Sequence, residues 1–212
     1  MKTILLALAA TTAITSTAIA GNPAPVELPP IAPVAAAVTD WSGPYVGGLV
    51  SLNSGSMDYY DDGELTVYPM NDSDFMYGVF AGYQRQMGSF VVGGEVAYQM
   101  GEFSFPDYPE DHIDNFLDLK ARLGFAAGSA LIYATGGYTM GNYSENTGDV
   151  VDYTIDLTGF NVGAGVDFKI GERLFVGAEY LYRETSGVYN EDSDYEGDFQ
   201  TQSIQIRAGL QF

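Results

Sequence analysis

From Ser203 to the last residue, polar and apolar positions alternate without a break. Ile204, Ile206, Ala208, Leu210 and Phe212 fall on one side, and Ser203, Gln205, Arg207, Gly209 and Gln211 on the other. A period of two is the signature of a β-strand. The same signature divides residues 41–212 into eight strand-like stretches: Tyr45–Asn53, Asp74–Gln86, Phe90–Gly101, Phe116–Ala126, Ala130–Gly141, Tyr153–Phe168, Arg173–Glu184 and Gln200–Phe212. Each is as long as the roughly 9 to 11 residues that a tilted strand needs to cross a bilayer, or somewhat longer.

Several stretches separate their faces cleanly. The third sets Val92, Val96, Tyr98 and Met100 against Gly93, Glu95, Ala97 and Gln99, and the fourth sets Leu117, Leu119, Ala121, Leu123 and Phe125 against Asp118, Lys120, Arg122 and Gly124. The sixth sets Val162, Ala164, Val166 and Phe168 against Asn161, Gly163, Gly165 and Asp167. In the seventh, Leu174, Val176, Ala178, Tyr180 and Tyr182 oppose Gly177, Glu179 and Arg183, but Phe175 and Leu181 break the rule. The first and fifth have no readable phase, because Gly47-Gly48 and Gly136-Gly137 fit either face.

Connection lengths alternate as well. Met87-Gly-Ser89, Ala127-Gly-Ser129 and Lys169-Ile-Gly-Glu172 are short, whereas segments 54–74, 102–115, 142–156 and 184–199 are long. Short turns at one end and long loops at the other predict an all-β fold, an eight-stranded antiparallel up-and-down transmembrane β-barrel. An even strand number lets the first and last strands pair and remove the open edges, which hydrocarbon would not tolerate. In so narrow a cylinder, glycine is expected on the inner face wherever a long neighbour needs room. Tyrosines near strand ends, at Tyr45, Tyr77, Tyr83, Tyr98, Tyr133, Tyr180 and Tyr182, are expected in the aromatic girdles.

Residues 1–20 carry Lys2, an uncharged apolar run and Ala18-Ile-Ala20 before Gly21, the pattern of a cleaved secretory signal. Residues 21–40 hold five prolines among Ala and Val, the composition of an extended linker.

Composition adds three constraints. The chain of 212 residues has 26 Gly, 16 Tyr and 12 Phe, in keeping with an all-β protein. It has no Cys, so disulfides, thiolate metal sites and cysteine nucleophiles are excluded. Its formal charge is −20, and 21 of its 28 acidic residues lie in the four long segments, which contain no Lys or Arg. Such a surface repels nucleic acid and attracts divalent cations or basic partners.

The inner face gathers Glu95, Lys120, Arg122, Glu179, Arg183 and Arg207, which are expected to form a lumen charge network. In a narrow barrel these ions must pair, because an isolated buried charge costs several kcal/mol. Arg85, Lys169 and Arg173 sit instead at the short turns. Asp58, Asp61, Asp62, Asp192 and Asp194 are weak candidates for holding a divalent cation at the loops, although no cluster has EF-hand spacing. His112 and Ser104 could be read as parts of a hydrolase triad near the rim, but nothing in the sequence orients the imidazole. No catalytic residue, resident metal or cofactor is assigned.

Residues 41–212 resemble the small outer-membrane β-barrel proteins of the porin-like and opacity type of alphaproteobacteria, and at longer range the barrel domain of OmpA. The matching pieces are Trp41-Ser-Gly-Pro-Tyr-Val-Gly-Gly48, Gly82-Tyr-Gln84, Gly93-Gly-Glu95, Lys120-Ala-Arg-Leu-Gly124, Ile132-Tyr-Ala-Thr-Gly-Gly137, Gly163-Ala-Gly-Val-Asp167, Ala178-Glu-Tyr180 and terminal Phe212. Phe160 departs from the family, which often has Trp at that place. The resemblance implies a Gram-negative outer-membrane location among lipids and lipopolysaccharide. It also implies that Phe212 is read by the barrel-assembly machinery. The function expected is that of an integral barrel with a structural or surface role, or a narrow porin-like channel. The rivals are a lipid-modifying outer-membrane enzyme, an adhesin acting through its acidic loops, and a soluble ligand-binding barrel with its apolar faces inward.

Overall fold

In the computed structural model, residues 39–61, 64–71, 73–107, 111–147, 150–188 and 196–212 are described. Nine strands run through them: β1 (Gly43–Asp61), β2 (Glu64–Pro69), β3 (Asp74–Met87), β4 (Phe90–Ser104), β5 (His112–Ala127), β6 (Ala130–Thr147), β7 (Val150–Ile170), β8 (Leu174–Val188) and β9 (Glu196–Gln211). Each of β3 to β8 pairs antiparallel with the next, β1 pairs with β3, and β9 returns to β1 from Tyr45↔Gln211 to Tyr59↔Gly197. The result is a closed eight-stranded antiparallel barrel with one extra strand, β2, attached to the upper half of β1.

Orientation follows the alternation. In β9, Thr201, Ser203, Gln205, Arg207 and Gln211 are buried, while Ile206 is 64% and Ile204 58% exposed. A soluble barrel would bury the second set, so the apolar faces of this barrel look out and suit lipid. The two stretches without a readable phase resolve likewise, with Tyr45, Leu49 and Ser51 inside in β1 and Leu131, Tyr133 and Thr135 inside in β6.

The short turns at β3–β4 and β5–β6 place Gly88 at φ 66° and Gly128 at φ 64°, left-handed values that glycine adopts without a Cβ penalty. The long segments differ from the loops expected of them, because much of their length is strand. β1 continues eight residues beyond Asn53, β2 lies within segment 54–74, and β6 and β7 continue as a ribbon through Tyr143↔Ile155.

Inside the barrel the side chains form three layers. At the short-turn end Trp41, Tyr45, Phe80, Leu131, Tyr133 and Phe175 pack together. At the long-loop end Met57, Met76, Phe103, Phe116, Tyr143 and Phe199 belong to a second apolar cluster. Charged and polar side chains fill the space between. Phe175 and Leu181 broke the alternation in β8 for this reason: both are buried inward, Phe175 as part of the lower plug.

The lower plug depends on glycines in neighbouring strands. Tyr45 stands opposite Gly82, Phe80 opposite Gly47, Tyr133 opposite Gly165 and Phe175 opposite Gly209. A Cβ at Gly82 or Gly165 would overlap the tyrosine ring that crosses it. Tyr45 and Tyr133 therefore correct the girdle expectation, since both point into the barrel, whereas Tyr77 and Tyr83 are well exposed on the outer surface.

Trp41 closes the lower mouth from below. Its backbone N–H donates to Gln86 Oε1 at 2.8 Å, the Gln86 backbone N–H donates to Ser42 Oγ at 3.0 Å, and Gln211 Nε2 donates to the Ser42 carbonyl at 2.6 Å. Lys169 Nζ donates to the Asp40 carbonyl and lies 5.2 Å from the centre of the Trp41 ring. Asp40 accepts the Ser42 N–H at 2.8 Å, and this hydrogen bond holds its carboxyl below the usual carboxylate range.

Candidate functional site: the buried ionic layer

The ionic layer exists because inward positions of five strands carry charge at matching heights. Glu95 comes from β4; Asp118, Lys120 and Arg122 from β5; Asp167 from β7; Glu179 and Arg183 from β8; Arg207 from β9. All are buried, and their four positive and four negative charges balance.

The lower part surrounds Glu95 and Glu179. Lys120 Nζ lies 2.8 Å from Glu95 Oε1 and 2.6 Å from Glu179 Oε1, bridging the two carboxylates. Arg207 does the same with its fork, reaching Glu95 Oε2 at 2.5 Å and Glu179 Oε2 at 2.8 Å. Arg122 connects Glu95 Oε2 at 3.2 Å with Asp167 Oδ2 at 2.6 Å. Tyr45 and Tyr133 donate their hydroxyls to Glu95 Oε2 at 3.0 Å and Glu179 Oε2 at 2.9 Å. Three cations are thus shared among three carboxylates, which satisfies the condition for keeping ions inside a protein.

The upper part is a separate pair. Arg183 grips Asp118 with two bonds, Nε to Oδ1 at 2.9 Å and Nη2 to Oδ2 at 2.7 Å, and sends Nη1 to Ser203 Oγ at 2.6 Å. Such fork-on-fork geometry is available to Arg and not to Lys. Around it, Thr139 Oγ1 donates to Asp118 Oδ1, Gln99 Nε2 to Asp118 Oδ2, and Ser51 Oγ to Gln99 Oε1.

Each guanidinium also rests on an aromatic face. Arg122 lies 3.8 Å from the Tyr133 ring centre, Arg207 4.0 Å from that of Phe80, and Arg183 4.5 Å from that of Phe116. The ring face carries partial negative charge, so the same cation is held on one side by carboxylates and on the other by the apolar plug. The arrangement ties layer to layer as well as strand to strand.

All six residues expected in the lumen lie here: five of them, Glu95, Lys120, Arg122, Glu179 and Arg207, share one ion cluster, and Arg183 forms the second with Asp118, a partner the expectation left out. Asp118 and Asp167 stood on the inner face in the alternation, and without them Arg183 and Arg122 lack their 2.7 Å and 2.6 Å partners. Tyr45 and Tyr133 were missed because a tyrosine near a strand end reads as an interface residue. Extending the inward parity of the seventh stretch past Gly177 would have found Phe175 of the lower plug, but Tyr45 and Tyr133 lie in the two stretches whose phase the glycine pairs hide.

Asp58 accepts a hydrogen bond from Gln200 Nε2 at 3.3 Å, while Asp62, Asp192 and Asp194, and the side chain of Asp61, lie outside the described residues. Ser104 and His112 are cross-strand partners. The Ser104 hydroxyl donates to Asp74 Oδ2 at 3.1 Å, and His112 Nε2 lies 3.2 Å from Asp114 Oδ1. Phe212 is 63% exposed at the lower end, with its N–H donating to the Pro44 carbonyl at 2.9 Å.

A closed eight-stranded barrel with an apolar exterior and a charge-balanced polar interior defines a transmembrane β-barrel protein. Residues 30–212 match the model of the outer membrane protein beta-barrel domain, and the chain belongs to that family. It is 29% identical to the 31 kDa outer-membrane immunogenic protein of Brucella melitensis, over 86% of this chain and 88% of the relative. To the 25 kDa outer-membrane immunogenic protein of Brucella canis it is 27% identical, over 100% of this chain and 99% of the relative. Among solved structures, Neisserial surface protein A is similar in fold, with a TM-score of 0.50 at 12% identity, covering 81% of this chain and 98% of that one. The protein is therefore one of the Gram-negative outer membrane.

Proposed function

We propose that the protein is a structural and surface component of the outer membrane whose lumen is sealed to ions and small solutes. The observation that carries this reading is the layering of the interior, a charge-neutral ionic cluster between two apolar plugs. A permeating ion would have to displace the Trp41–Phe175–Tyr45 packing below and the Phe103–Phe116–Phe199 packing above, and also separate buried ion pairs. Each of these steps is costly in a medium of low dielectric.

Planar-bilayer recording of the refolded protein tests the proposal. A baseline without discrete steps is expected beside heat-modifiable gel migration that shows a folded barrel; reproducible single-channel steps would favour the narrow porin-like channel instead. The commitment of the Ser104 hydroxyl to Asp74 supports a non-enzymatic role, for which no turnover of phospholipid or lipid A is expected. Surface display fits the acidic long-loop end and the immunogenic designation of the Brucella relatives. Lipopolysaccharide around the outer half of the belt, divalent cations at the acidic loops and the assembly machinery at exposed Phe212 are the partners this reading implies.

A further inference from the structure

The barrel has no open edge, yet one strand does. β2 begins the sheet order and pairs among the described residues with β1 alone. The direction of its backbone groups follows from one bond: Met70 N–H donates to the Gly55 carbonyl at 2.9 Å. Residues alternate from there, so Tyr68 and Thr66 turn their N–H and C=O toward β1, whereas Pro69, Val67 and Leu65 turn theirs away. Proline occupies a position whose N–H would have met no strand partner, as expected at an edge. Val67 and Leu65 are left with both backbone groups facing away from β1 and with no strand partner among the described residues, above Asn71, whose N–H on the same side donates to the Ser104 carbonyl at 3.0 Å.

Their side chains are exposed too, Leu65 by 49% and Val67 by 54%. This apolar pair is not part of the lipid-facing belt. Along β1 the outward row runs Val46, Val50, Leu52 and then turns polar at Ser54, Ser56 and Asp58, while Leu65 and Val67 pair with Tyr60 and Asp58 above that change. The surrounding sequence is strongly acidic, since segments 54–74 and 184–199 contain acids and no Lys or Arg.

We propose that the outer edge of β2 is a docking edge for an extended basic segment of a partner protein. The segment adds as a strand, bonds to the N–H and C=O of Leu65 and Val67, and lays alternate apolar side chains against theirs. Strand addition takes its affinity from the backbone and its selectivity from alternate side chains. The acidic segments supply attraction for a cationic partner. The inference does not depend on whether the lumen conducts.

The test uses the full chain refolded in phospholipid nanodiscs with two fluorescent octapeptides of equal charge, one alternating Lys and Val and the other alternating Lys and Gly. The Lys–Val peptide is expected to bind at least about tenfold more tightly, a difference that strand propensity and apolar contact supply together. Val67→Pro removes an edge-facing donor without touching the β1 pairing, and should abolish that difference while heat-modifiable migration persists. In the unmodified protein, saturation with the Lys–Val peptide should slow amide exchange at Leu65 and Val67, a readout that stands even if the proline variant fails to refold. Equal binding of the two peptides, no binding of either, or unchanged exchange at Leu65 and Val67 would overturn the proposal, the first by reducing the surface to a cation attractor.

Discussion

Arg207 holds the most consequential charge in the molecule. Its guanidinium reaches two carboxylates, Glu95 and Glu179, and lies on the Phe80 ring, all inside the barrel. Arg207→Ala leaves the carboxylates with fewer cations than they need, and breaking a buried ion cluster in this way costs about 3–5 kcal/mol. Urea unfolding of the refolded protein in lipid vesicles should register that loss, whereas Asp58→Asn at the exposed end should shift the midpoint little. The Arg183–Asp118 pair offers the complementary case. Removing both charges with Arg183→Met and Asp118→Leu should destabilise less than either change alone, because neither partner is stranded; a double-mutant cycle measures the difference. At Gly82 the sensitivity is steric: Gly82→Ala forces Tyr45 from its place against Glu95, at an overpacking cost of about 1–3 kcal/mol in the same unfolding assay.

Residues also show where the sequence was transparent. Ile204 to Phe212 gave the strand and its two faces at once, because every second side chain agreed, whereas which face meets lipid needed the other stretches and their connection lengths. Gly47-Gly48 and Gly136-Gly137 could not, since glycine carries no polarity to read. Tyr45 and Tyr133 misled for a different reason. A tyrosine has an apolar body and a polar tip, so it suits a girdle and a carboxylate-lined interior equally well, and only the glycine opposite each ring decides.

At the scale of elements, the strands outrun the membrane. An apolar band about 25 Å tall needs far fewer residues than the 21 of β7 or the 19 of β1. The surplus rises above the belt as ribbons. Among the described residues β7 pairs with β8 from Thr158 downward, so the ladder partner of residues 150–157 is β6. Their amides should exchange with solvent much faster than those of residues 160–167, which have a strand on each side, as mass spectrometry of the folded protein in detergent would show. The ends of these extensions, β6 beyond Gly141 and β7 before Tyr153, were hidden in the sequence by their acidic residues, which read as loop. Ile155 and Leu157 already lay in the stretch Tyr153–Phe168, but Tyr143 stands buried among polar residues that announce no strand unaided.

At the scale of the whole molecule, the two plugs act in series. Opening the lower one by Trp41→Ala with Phe175→Ala still leaves the ionic layer and the Phe103–Phe116–Phe199 packing across the path. Under the sealed-barrel reading such a variant stays silent in planar bilayers. The surplus negative charge does not enter this interior, where four cations meet four carboxylates. It is confined to the ends of the strands, mostly the end with long connections, which is why the exterior field and the interior neutrality can be selected independently.

The Glu95–Arg207 contact joins residues 112 apart in the chain, one from the fourth strand in sequence and the other from the last. Until β9 arrives, Glu95, Asp167 and Glu179 have only Lys120 and Arg122 to share, and an unfinished cylinder carries an excess anion toward hydrocarbon. Charge neutrality thereby works as a completeness check: a chain cut short before its final strand is penalised electrostatically, not merely left with a gap in its wall.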